Sequence, residues 1–176
     1  MSRSDDYRLP LTTLGPLGIY LNDHLAGATG GVELSRRLAG SHPGIWGERL
    51  RDLAEEIAED RATLIAIMRR LGIPVRKYKI AYGWLGEKLG RLKFNGRVLV
   101  RSPFSSVIEL EMMTLGVQGK SAAWQVLRDL ADRGDLLSAE HLDHLLERAR
   151  SQATELERMR SEAALKVFYN REHPAR

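Results

Sequence analysis

Apolar residues recur at spacings of three and four along most of this 176-residue chain. The unequal gaps between the runs constrain the fold more than any single motif. A first helix is expected from Pro16 to Gly40, with the stripe Leu17, Leu21, His24/Leu25, Ala28, Gly31/Val32, Ser35 and Leu38. A second takes Pro43 as its first helical residue and carries Leu50, Leu53, Ile57, Asp60, Leu64, Ile67 and Leu71; Gly72 and Pro74 stop it. A third begins near Ser102-Pro103, or at Ser106 with Glu109 three residues on as in a capping box. Its stripe is Val107, Leu110, Met113, Val117, Lys120/Ser121, Trp124, Leu127 and Ala131, and Gly134 ends it. Ser138 caps the fourth, which carries Leu142, Leu145, Ala149, Gln152, Leu156, Met159, Ala163 and Val167. A few residues separate the first helix from the second and the third from the fourth, so each pair should form an antiparallel hairpin.

The connection between the hairpins, residues 72–102, is much longer. Tyr78, Tyr82 (or Ala81), Leu85, Leu89 and Leu92 predict a further helix from about Val75 to Phe94; Asn95-Gly96 turns the chain and Arg97–Arg101 reads as extended. Such a helix spans about 28 Å and the extended piece adds about 25 Å. The second helix is about 42 Å long, so the crossover can run the height of a bundle and make the second and third helices parallel. The expected fold is therefore all-α: a four-helix bundle of two hairpins with a crossover helix. It should be one domain over residues 1–176, with flexible tails at 1–14 and 170–176.

The crossover also holds the chain's main charge asymmetry. Arg69 to Arg101 contains ten basic residues and one acidic residue, Glu87, a net of +9 in a chain of formal charge +4. Arg76, Lys77, Lys79, Lys88, Arg91, Lys93 and Arg97 could contact the phosphates of a polyanion, with interleaved aromatics stacking on bases. The competing and preferred reading is internal. The rest of the chain carries −5, and Glu55, Glu56, Glu59, Glu147, Glu155, Glu157 and Glu162 make an acidic bundle that a basic strap can cover.

No cysteine is present, which excludes disulfides, thiolate metal sites and a cysteine nucleophile. The first ten residues lack the apolar run of a signal peptide, and no window approaches a membrane span, so a cytoplasmic location is expected. No glycine-rich loop follows a strand and no hydrolase elbow is visible. His141 and His144 share one face at the start of the fourth helix, where solvated polar residues are a simpler reading than a surface metal site. His42 and His173 carry no signal.

Two runs of small residues stand out, Ala26-Gly27-Ala28-Thr29-Gly30-Gly31 and Gly116, Gly119, Ser121, Ala122 and Ala123. Glycine costs about 1 kcal/mol against alanine inside a helix, so three in six residues need a reason. Close approach between helices is the first reading, and a cavity for a small ligand is the second. His24, Asp60, Lys120 (or Gln118) and Gln152 lie on or beside the apolar stripes near mid-helix, with Glu56 one turn before Asp60. A buried charge must be paired, so these groups are expected to form one network, with Asp60–Lys120 or Asp60–His24 at its centre.

The stretches 21–34 (LNDHLAGATGGVEL) and 54–61 (AEEIAEDR), with the long crossover, resemble an uncharacterised ferritin-like family of bacterial proteins. Di-iron members of that superfamily use a Glu on two helices and Glu-x-x-His on the other two. Here Glu56-Ile-Ala-Glu59 and Gln152-Ala-Thr-Glu155 stand at those places without the histidine, while Glu33, Glu109 and Glu111 are the remaining carboxylates. The resulting expectation is a non-enzymatic bundle with no metal or other cofactor, acting through homo-oligomerisation or a partner. A degenerate metal-binding oxidoreductase or storage protein is the first alternative, and a nucleic-acid-associated bundle is the second.

Overall fold

The computed structural model describes residues 15–76 and 103–172. All regular structure among them is α-helical: α1 (Pro16–Ser41), α2 (Gly44–Arg70), α3 (Pro103–Ala131) and α4 (Ala139–Glu172). The crossover helix, the turn at 95–96, the extended piece at 97–101 and the tail at 1–14 lie outside the described residues. Residues 170–172, which the sequence reading placed in the tail, belong to α4.

The helix ends follow local chemistry. Pro16 fills the first turn of α1, where its missing N–H costs nothing, and the Gly15 carbonyl accepts from Gly18 N–H at 2.8 Å. Gly72 stops α2 at a φ of +69°. There Ile73 N–H donates to the Met68 carbonyl at 2.8 Å and Gly72 N–H to Arg69 at 3.0 Å, the pair of bonds of a Schellman cap. Pro43 is the N-cap of α2 rather than its first helical residue. Ser138 caps α4 by accepting from His141 N–H at 3.2 Å.

Ser106 does not open α3. The helix starts three residues earlier, at Pro103, and the Ser106 hydroxyl sits 3.1 Å from His42 Nε2. His42 Nδ1 lies 2.9 Å from the Leu38 carbonyl, which can only accept, so in the neutral ring Nδ1 is the donor and Nε2 accepts from Ser106. This loop histidine therefore bonds a carbonyl in the last turns of α1 and ties it to the start of α3. Glu109, offered as the capping-box partner, pairs with Arg37 of α1 at 3.0 Å.

The contacts fix the topology. Thr29 meets Arg61, Arg37 meets Glu109 and Arg128 meets Asp143, so α1 runs antiparallel to α2 and to α3, and α3 antiparallel to α4. It follows that α2 and α3 are parallel, as a long crossover requires. The hairpin partners pack most closely, and α1 packs directly on α3. Between the helices lies one apolar core, with Leu21, Leu38, Met68, Leu110, Leu127 and Met159 fully buried and Trp124 the largest side chain within it. Burying each such side chain contributes about 1.5–3 kcal/mol.

The crossover leaves the bundle through a polar clamp. Asn22 of α1 is buried, and its Nδ2 donates to the Gly18 carbonyl at 2.7 Å and the Pro74 carbonyl at 3.2 Å. Its Oδ1 accepts from Arg76 N–H at 2.8 Å. One side chain thus pins residues 74–76 to the first turns of α1, and Ile73 packs against Gly18 beside it.

The small-residue runs have different surroundings. A Cβ on Gly31 would meet Ile57 at 3.9 Å, ordinary contact between α1 and α2. A Cβ on Gly27, Gly116 or Gly119 would meet nothing within 4 Å among the described residues.

Candidate functional site: a mid-bundle ionic cluster

Asp60 interrupts the apolar stripe of α2 and is 2% exposed. Its Oδ2 accepts from Lys120 Nζ of α3 and from Gln152 Nε2 of α4, the latter at 3.3 Å. Its Oδ1 accepts from Arg148 Nη2, one turn before Gln152. Lys120 Nζ also donates to Gln152 Oε1, and Gln152 Nε2 reaches Glu56 Oε2 at 2.8 Å. Arg148 Nη1 extends outward to Glu59 at 3.0 Å. Four residues picked out from the sequence, Glu56, Asp60, Lys120 and Gln152, therefore meet at one level, drawn from three helices.

His24, the fifth, stays apart. Its ring packs edge-on against Tyr20 on the same helix at 4.4 Å, and partial burial lowers its pKa while Asp23 opposes the shift. The helix phase explains the difference. His24 falls at the edge of the α1 stripe, beside the buried Leu21 and Leu25, and does not reach the centre.

Arg148 is the member that the stripe did not reveal. The apolar position of that turn is Ala149, and its neighbour reads as a surface residue. The long guanidinium stem turns inward across the α2–α4 gap, where those two helices meet through long side chains such as Arg49–Glu155 at 3.5 Å. The sequence signal was available in one form: Arg148 stands four residues before Gln152, so the two share a face.

The electrostatics follow from burial. Loss of solvent pushes the Lys120 ammonium pKa below its ordinary 10.5, and this outweighs the upward pull of the Asp60 carboxylate. Two cations and an amide N–H meet both oxygens of Asp60, so its lone pairs are largely committed inside the protein.

That donor set does not fit a metal ion. A dication bound at Asp60 would have to displace an ammonium and a guanidinium, and no histidine is at hand. Among the described residues no group of three His, Asp or Glu side chains could hold a metal. Glu33 and Glu111 are exposed, and His141 and His144 are exposed on the first turns of α4.

Of the residues proposed for polyanion contact, Arg76 is described and exposed, with its backbone held by Asn22. Lys77, Lys79, Lys88, Arg91, Lys93 and Arg97 lie outside the described residues. The acidic surface that an internal strap would need is largely engaged by arginines of the bundle. Glu59 pairs with Arg148, Glu147 with Arg150, Glu155 with Arg49 and Arg158, Glu157 with Arg160, and Glu162 with Arg158.

No family model, curated protein or solved structure matches the chain. Function must therefore be argued from the site. No described helix is long and apolar enough to cross a membrane.

Proposed function

We propose that the chain is a non-enzymatic bundle of ferritin-like topology that acts by binding a second copy or a partner, and that its central ionic cluster sets helix register without doing chemistry. One observation carries this reading: Asp60, the most buried carboxylate of the bundle centre, is committed on both oxygens to Lys120, Gln152 and Arg148. A catalytic or metal-binding carboxylate at that level would need open lone pairs or an exchangeable water. Here an ammonium and a guanidinium occupy the places a metal would take.

A buried ion pair is a weak source of net stability, because the desolvation cost offsets much of the attraction. Its better attested use is to specify one arrangement among several. Sliding α3 by one turn would leave the Lys120 ammonium without its carboxylate and take from Asp60 one of its two cations, which is far costlier than misplacing a leucine. The cluster joins both hairpins, so it fixes how they dock.

Elemental analysis of the purified protein tests the reading. The expected result is iron and manganese far below one per chain. Near-stoichiometric iron or manganese, lost in Asp60→Ala, would overturn it in favour of a metal-binding oxidoreductase or storage protein.

A further inference from the structure

Helix α3 is apolar on two sides. Its core stripe, with Leu110, Met113, Val117 and Trp124, is buried. On the opposite side Ile108, Met112, Leu115, Gly119, Ala122 and Val126 recur at alternating spacings of four and three. Leu115, in the middle of this second stripe, is 61% exposed, and a Cβ on Gly119 would meet nothing within 4 Å among the described residues. Between Glu111 and Arg128 the helix holds one charged residue, Lys120, and that one is committed to Asp60. A helix with apolar residues all round is one that its surroundings bury.

The crossover enters and leaves at the two ends of this stripe. Arg37 pairs with Glu109 and His42 meets Ser106, which sets the level of α1 against the antiparallel α3. By that register Asn22 stands level with Trp124. The Asn22 clamp therefore holds residue 76 against α1, the helix beside α3, at the Val126 end of the stripe. Pro103 takes the chain back just beyond the Ile108 end. The rise between those two levels is about 32 Å, and the helix expected from Val75 to Phe94 covers about 28 Å in one pass.

The side chains match as well as the lengths. Antiparallel helices rise equally per residue, so a helix that starts level with Trp124 brings Leu85 opposite Leu115. Tyr78 then falls opposite Ala122, Tyr82 beside Gly119, Leu89 beside Met112 and Leu92 opposite Ile108. The two stripes share one spacing, and the two tyrosines meet the two small residues, as close packing requires. A second copy or a foreign partner would have no such tie to the level of Asn22.

We propose that the outward stripe of α3 is the seat of the crossover, residues 77–102, with Leu85 against Leu115 and Tyr82 over Gly119. The seat is apolar and is not the acidic surface of α2 and α4, so the basic residues of the crossover are not what holds it there.

The chain has no cysteine, so an introduced disulfide reports the contact cleanly. Leu85→Cys with Leu115→Cys, oxidised at low protein concentration, should form a bond within one chain, seen as a faster band without reductant. Leu85→Cys with Glu55→Cys, an exposed position of α2 at the same level as Leu115, should form about ten-fold less or none. Equal yields from the two pairs, or no bond in the first, would overturn the proposal. A bond between two chains carrying Leu115→Cys alone would give the stripe to a second copy and overturn it too. Leu115→Asp, with helicity checked by circular dichroism, should speed tryptic cleavage at Lys88 and Arg91 about ten-fold, because a carboxylate spoils the seat. Cleavage unchanged in that variant would show that the crossover does not rest on α3.

Discussion

Asp60 and Lys120 stand sixty residues apart, on different hairpins, and form an ion pair at the centre of the bundle with side-chain exposures of 2% and 13%. The pair is the meeting point of α2 and α3, the two parallel helices that a long crossover joins. Few positions in a bundle report so directly on whether two hairpins are docked in one register.

The Asn22 clamp gives a local prediction. Asn22→Ala removes three hydrogen bonds and leaves the Pro74 carbonyl and Arg76 N–H without this partner. The loss should be about 1–3 kcal/mol of unfolding free energy. Amide exchange at Arg76 should quicken more than exchange in the middle of α2. Unchanged protection at Arg76 would show that the clamp does not hold the crossover.

Gly47 sits where α2 turns back under the end of α1. A Cβ placed there would lie 2.0 Å from the His42 carbonyl oxygen, a backbone atom that cannot rotate away. Gly47→Ala should therefore cost at least about 1–3 kcal/mol, although alanine is the better helix former by about 1 kcal/mol. Gly27→Ala, with nothing within 4 Å among the described residues, should be neutral or stabilising. Thermal unfolding of the two variants separates these signs. Equal shifts would contradict the packing described at Gly47.

Lys120 gives a pH dependence of definite sign. Its folded pKa lies below its ordinary 10.5 because burial disfavours the ammonium. The unfolded chain then holds the proton more tightly than the native chain between the folded value and 10.5. In that window stability rises with pH, and below it the burial penalty is present in full. Relative to Lys120→Met, the native protein should gain stability as pH rises toward 10.5. Unfolding free energies of both proteins across that range check the slope; a relative loss would mean that the attraction of Asp60 outweighs the burial.

Much of this arrangement was legible in the residues, and the remainder failed for identifiable reasons. Pro16, Gly72-Pro74 and Ser138 act within a few residues of where they stand, so the ends they mark could be read directly. Asp60 and Gln152 were visible because each breaks an apolar stripe and so had to be buried with a partner. Arg148 was hidden because its backbone faces outward and its reach comes from a long flexible stem. Asn22 was hidden for another reason. Two of its three partners, the Pro74 carbonyl and the Arg76 N–H, are backbone groups more than fifty residues away, and backbone groups leave no pattern in a sequence. Ser106 offered a capping box that local logic allowed, but His42, across the bundle end, claimed its hydroxyl.

The central claim is that Asp60 and Lys120 act as one register-setting unit, and a double-mutant cycle on the pair measures that most directly. Chemical unfolding of Asp60→Asn, Lys120→Met and the double variant gives the three free energies required. Each single change strands a buried polar partner, so Asp60→Asn should cost about 3–5 kcal/mol, with Lys120→Met lower because Arg148 still neutralises Asp60. The double variant should lose less than the sum of the two by about 0.5–3 kcal/mol. Two additive single effects would contradict the account.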